Sequence, residues 1–204
     1  MSEFLSFLEL GLRHILDPAG LDHVLFLAVL AVVYRARDWR NALWVVSAFT
    51  IGHSITLALS VTDAIKVNQG LIEFLIPVTI VLTAAENLFV RENASSTRGR
   101  RYRPLLAGAF GLVHGAGFAG YLKSLFLANI AMPLLGFNVG IEVAQILVLL
   151  TLGVTLAVLD AGLRWARGLR ATPNPAFLLR LRVVGVSMAI GVVAIAWSVE
   201  RRPW

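Results

Sequence analysis

Long apolar stretches alternate with short polar, arginine-bearing segments along the whole chain. A helix that crosses a hydrocarbon core of about 30 Å needs about 20 mostly apolar residues at about 1.5 Å each. Six stretches meet or approach that length: Gly20–Tyr34, Asn41–Val61, Gly70–Val90, Leu105–Leu122, Leu134–Ala157 and Val183–Val199. The first is short, but an apolar lead-in, Phe4–Leu16, precedes it and predicts a half-helix that lies at the interface or enters the membrane. Asp17-Pro18-Ala19-Gly20 separates the two, because proline lacks a backbone donor and glycine tolerates unusual dihedrals. The pattern predicts an all-α, polytopic transmembrane helix bundle of about six spans plus a short N-terminal half-helix. Residues 1–204 form a single integral membrane domain in this reading.

Composition agrees with lipid as the solvent. The chain is 58% hydrophobic and 15% charged, against about 45–50% and about 25% in soluble chains. The formal net charge of +6 would suggest nucleic acid in a soluble protein. Here most of the arginines fall in three loops, so topology explains the excess and no nucleic-acid partner is expected. Arg35, Arg37 and Arg40 follow the first span; Arg91, Arg98, Arg100, Arg101 and Arg103 follow the third; Arg164, Arg167, Arg170, Arg180 and Arg182 follow the fifth. The other side holds only Arg13, Lys66, Lys123, Arg201 and Arg202. The positive-inside rule therefore puts the three loops in the cytoplasm and both termini outside. Glu92–Arg103 reads as a flexible cytoplasmic loop, and Arg170–Ala176, with Pro173 and Pro175, as another. The N-terminal stretch has Glu3 and Glu9, lacks a basic start and reads as mature sequence.

Against this background the ionisable residues inside spans stand out, since each costs about 2.5–3.5 kcal/mol at mid-helix on insertion scales. His14, His23, His53 and His114 all lie in or beside apolar segments, as do Asp22, Glu73, Glu86 and Glu142. On the topology above, His14, Asp22, His23, His53, Asn138 and Glu142 fall towards the outer side and His114 near the middle. Asn138 and Glu142, four residues apart, share a helix face. Imidazole and carboxylate together suit Zn, Ni, Co, Fe or Cu. The absence of cysteine removes thiolate from the donor set. His14 and His23 are nine residues apart, and nine steps of about 100° leave half a turn, so both reach one site only if the helix breaks between them. The candidate ligands are His14, Asp22, His23, His53, His114 and Glu142, with Asn138, Gln145 and Ser54 supporting them. A lone intramembrane histidine, such as His53 with Thr50 and Ser54 nearby, is more often a hydrogen-bonding residue between helices than a ligand, and the glycines around His114 alone could mean close helix packing. For the adjacent Asp22 and His23 the balance reverses, since two ionisable groups at a helix start are costly without a role. Glu73 reads as facing water, and Glu86-Asn87 as a structural pair or a separate relay.

The segment His14-Ile-Leu-Asp-Pro-Ala-Gly20-Leu-Asp22-His23 resembles the HupE/UreJ family of bacterial membrane proteins. So do Phe49–Leu57, around His53, Gly111–Phe118, around His114, and Phe137–Gln145, which carries Asn138 and Glu142. The match is to the second branch of that family and covers nearly the whole chain. It implies a bacterial inner-membrane protein concerned with nickel or cobalt uptake, and it implicates His14, Asp22, His23 and His114. Three functions follow as expectations. The first is a divalent transition-metal permease for Ni, Co or Zn, with metal ion and lipid bilayer as partners and a homo-oligomer allowed. The second is an intramembrane zinc hydrolase or transferase with Glu142 or Asp22 as base. The third is a non-catalytic accessory subunit. The permease also requires a polar path onward to the cytoplasm, for which Glu86-Asn87 is the candidate.

Overall fold

A computed structural model describes residues 2–89, 97–125, 130–167 and 175–204. Among the described residues the regular elements are helices: α1 (Glu3–Leu16), α2 (Asp22–Ala31), α3 (Trp39–Val61), α4 (Gln69–Phe89), α5 (Thr97–Leu125), α6 (Ala131–Arg167) and α7 (Pro175–Glu200). The last five are long and apolar enough to cross a membrane, and α2 is a shorter apolar helix. A single 3-10 turn, Pro18–Gly20, stands between α1 and α2. The first span is therefore a broken helix. Its halves scarcely pack against each other, and both run beside α6, so they follow one another instead of folding back as a hairpin. Their 14 and 10 residues amount to about 36 Å of helix, enough for the hydrocarbon core.

The spans are drawn together by glycine. An ideal Cβ on Gly11 would lie 2.1 Å from the Phe137 carbonyl oxygen, and one on Gly140 2.1 Å from that of Leu8, so α1 and α6 touch backbone to backbone. The pair α3 and α5 does the same: a Cβ on Gly111 would lie 2.1 Å from the Phe49 oxygen, and one on Gly115 2.1 Å from that of His53. Inside lipid no hydrophobic force favours helix association, so such close approaches supply van der Waals contact that larger residues would prevent. Gly136 meets the Phe4 carbonyl and Gly140 that of Leu8, just as Gly111 meets Phe49 and Gly115 meets His53, so in both pairs the residue numbers rise together and the partners are parallel.

The ends of the bundle are polar. At one end Arg180 of α7 donates to the Asn87 carbonyl, 2.7 Å away, and to that of Leu88. Arg182 donates to the Val32 and Tyr34 carbonyls at 3.0 and 2.7 Å. These oxygens belong to the last turns of α4 and to the chain leaving α2, where helix carbonyls lack partners. Tyr34, Glu86, Arg103 and Arg182 thus share one arginine-rich end, as the alternation of the spans requires. At the other end Lys123 on α5 hydrogen-bonds Asp63 and holds its exposed carboxyl below the ordinary range. Asp63 sits in the left-handed region at φ 59°, which aspartate tolerates better than most residues.

Several boundaries differ from the sequence reading. Of the expected loop 92–103, residues 92–96 lie outside the described residues and 97–103 open α5. The reason is side-chain docking, since Tyr102 and Arg103 both bond Glu86 of α4, Arg103 at 2.6 Å. In the loop Arg170–Ala176, residues 170–174 lie outside the described residues. Pro175 opens α7, a position where its missing N–H is no loss. α6 runs ten residues past Ala157 and carries Asp160, which pairs with Arg182 of α7 at 2.6 Å.

Candidate metal centre

The break in the first span places His14 in the last turn of α1 and His23 in the first turn of α2. Nine residues of unbroken helix would turn them apart, whereas across Asp17–Leu21 their ring centroids are 4.6 Å apart. The α3–α5 contact through Gly111 and Gly115 brings in His53 and His114. His53 lies 6.0 Å, centroid to centroid, from both His14 and His23, and His114 lies 5.2 Å from His23. The histidines expected from the sequence thus converge from four helices. His53 is 0% exposed, His114 1% and His23 7%.

What surrounds them is apolar. The Phe118 ring lies 4.0 Å from His14, and the Phe26 and Phe49 rings each lie 5.1 Å from His114. Phe137 stacks on Phe118 behind His14. In this shell His14 Nε2, His23 Nε2, His114 Nδ1 and both nitrogens of His53 have no hydrogen-bonding partner in the protein. Buried polar atoms are almost always bonded, and leaving one unsatisfied costs about 1–3 kcal/mol. Five such nitrogens gathered together are not explained by helix-to-helix hydrogen bonding. The remaining nitrogen of His114, Nε2, lies 2.9 Å from the Thr79 hydroxyl. Sequence reasoning missed Thr79, which stands four residues before Thr83 and eight before Asn87 on one face of α4. That periodicity was the available signal.

The carboxylates are engaged with other side chains. Asp22, beside His23 in the chain, accepts two bonds from Arg201 Nη1 at 3.1 and 3.2 Å. Glu142 accepts from the Ser47 hydroxyl at 2.6 Å. It belongs to a polar seam between α3 and α6, in which Thr50 donates to Gln145 Oε1 at 2.6 Å and Ser54 to Asn138 Oδ1 at 2.8 Å. The structure therefore brings together the four imidazoles and pairs Asn138, Glu142 and Gln145 of α6 with Ser54, Ser47 and Thr50 of α3. Among the described residues no three His, Asp or Glu side chains are placed so that they could hold a metal ion as they stand. Glu86, expected as a structural residue or a relay, faces a cavity of about 300 Å³ with Thr83 and Arg103 at the arginine-rich end.

No curated protein and no solved structure matches the chain significantly. A family model does: that for the HupE / UreJ protein, second of the name, matches residues 1–201. With almost the whole chain matched and a helical membrane bundle as its fold, this protein belongs to the HupE/UreJ family.

Proposed function

We propose that the protein is a permease for a divalent transition-metal ion of the nickel and cobalt type, with the ion carried as substrate through the cluster of His14, His23, His53 and His114. The observation that carries this reading is the convergence, inside an apolar shell, of four imidazoles, five of whose ring nitrogens lack protein partners. The donor chemistry fits. Neutral imidazole suits Ni, Co and Zn, with metal–nitrogen distances of about 2.0–2.1 Å. Rings sharing one ion at that distance have centroids about 5 Å apart, and the pairs of His23 with His14, His53 and His114 and of His14 with His53 stand 4.6 to 6.0 Å apart. Ring rotation, with little movement of the helices, would turn the nitrogens inward. Discontinuous helices near the midplane are a recurrent device for ion sites in transporters.

Asp22 gives the approach to His23 a negative group, held by Arg201 until a cation competes for it. Onward from the cluster, Thr79 and Thr83 continue along α4 to the cavity at Glu86. That line of oxygens favours passage over fixed catalysis. A zinc hydrolase would need a carboxylate close to the metal-bound water, whereas Asp22 and Glu142 are engaged with Arg201 and Ser47. By the positive-inside rule the arginine-rich end is cytoplasmic, so the ion would pass from the Asp22 side to the Glu86 side.

Elemental analysis of the purified protein, paired with Ni²⁺ and Co²⁺ flux into proteoliposomes, tests the reading. Bound metal and saturable flux are the expected pair. Tightly retained metal without flux would reject a permease, and absence of both metal and flux would leave an accessory subunit.

A further inference from the structure

A second cavity, of about 600 Å³, lies well away from the imidazoles at the arginine-rich end. Its walls are apolar, with Leu43 of α3 facing Ile146, Leu150 and Val154 of α6. Leu150 and Val154 are among the most exposed apolar side chains of the fold, so the groove opens sideways towards lipid rather than into the bundle. Its polar end holds Arg35, Asp160 and Arg182, with Trp39 at the rim. Arg182 is 4% exposed, and while its terminal nitrogens bond Asp160 and two carbonyls, its Nε has no partner. Arg35 is near enough for its charge to act on Arg182. Asp38 accepts from the Arg35 backbone N–H at 3.4 Å, and the Arg40 guanidinium lies over the Trp39 ring, 5.4 Å from its centroid. Arg35, Arg40 and Arg182 against Asp38 and Asp160 thus leave this end with a single positive charge. Trp39, 54% exposed, has the place of an interfacial aromatic anchor.

An apolar channel open to the bilayer, closed at the headgroup level by a net positive end, matches the shape and charge of a phospholipid. Basic pockets between transmembrane helices are known to take anionic headgroups, and the volume lies within the about 300–1,000 Å³ of bound-ligand sites. We propose that the groove between α3 and α6 seats one anionic phospholipid, its acyl chain along Leu43 and Leu150 and its phosphate against Arg35 and Arg182. This site is independent of the metal reading and stands or falls without it.

Gly153 allows a steric test. It lines the groove, and a Cβ on it would meet nothing within 4 Å, so leucine there fills the lipid's space without straining the helix. Gly185, also open but outside the groove, serves as the control. The full chain in mild detergent would be titrated with phosphatidylglycerol or phosphatidylcholine and weighed by native mass spectrometry. The wild type and Gly185→Leu should retain one phosphatidylglycerol under conditions that strip phosphatidylcholine. Gly153→Leu should lose it, and Arg35→Ala should weaken its retention about fivefold. Equal retention of both lipids, or unchanged retention in both groove variants, would mean annular lipid only and overturn the proposal. So would a dimer that Gly153→Leu dissociates, which would make the groove an interface between copies.

Discussion

His53 lies fully buried on α3 with neither ring nitrogen bonded to the protein, so leucine in its place removes an unsatisfied polar group while keeping most of the volume. In the metal-free protein His53→Leu should raise the unfolding midpoint, in line with the about 1–3 kcal/mol cost of such a group, while retained Ni²⁺ falls at least about tenfold. Thermal unfolding in detergent and elemental analysis read the two effects separately. A histidine that served only packing would lose stability and leave metal content alone. Gly115 is the second residue to probe, because a Cβ there would lie 2.1 Å from the His53 oxygen. Gly115→Ala should cost about 1–3 kcal/mol through overpacking and spread His53 from His114. Gly120→Ala, where a Cβ meets nothing within 4 Å, should be neutral in the same assay. The histidines were legible because an imidazole in an apolar stretch is conspicuous by its cost. The partners of the carboxylates were not. Asp22 meets an arginine 179 positions away, and Glu142 a serine 95 positions away, distances over which spacing carries no information.

The element that matters most is the broken first span. Its Asp-Pro-Ala-Gly sequence announced the interruption, and the nine-residue separation of His14 and His23 alone puts them half a turn apart on a continuous helix. Changing residues 17–20 to alanine should let α1 and α2 fuse into one helix with the two rings on opposite faces. Helix content by circular dichroism should hold or rise while retained metal is lost. Retention of metal in that variant would remove His14 or His23 from the site. The other element boundaries were less readable for a single reason: polar side chains that look like loop in sequence can dock on a neighbouring helix. Tyr102 and Arg103 on Glu86 extend α5, and Asp160 on Arg182 extends α6. Hydropathy reports where lipid ends, and it is blind to helix that continues into the interface.

For the molecule as a whole, the parallel pairs α1/α6 and α3/α5 and the shared end of Tyr34, Glu86, Arg103 and Arg182 match the alternation inferred from arginine placement. The absence of cysteine makes orientation simple to measure. Ser2→Cys and Glu200→Cys should react with an impermeant maleimide added outside intact cells, and Arg37→Cys only after the membrane is opened. The reverse pattern would invert the proposed direction of transport. The imidazole cluster carries one further consequence. Uncharged ligands leave the two positive charges of a bound divalent ion intact, and Asp22, the acid nearest in sequence, is already matched by Arg201. On the proposed permease reading, transfer through such a cage would move net charge across the bilayer, with work by the field of about 2.3 kcal/mol per elementary charge per 100 mV, or about 4.6 kcal/mol for a doubly charged ion. Cell voltage alone would then concentrate the cargo, with no nucleotide or coupled proton, and a valinomycin-imposed potential should set both the rate and the direction of its movement in vesicles.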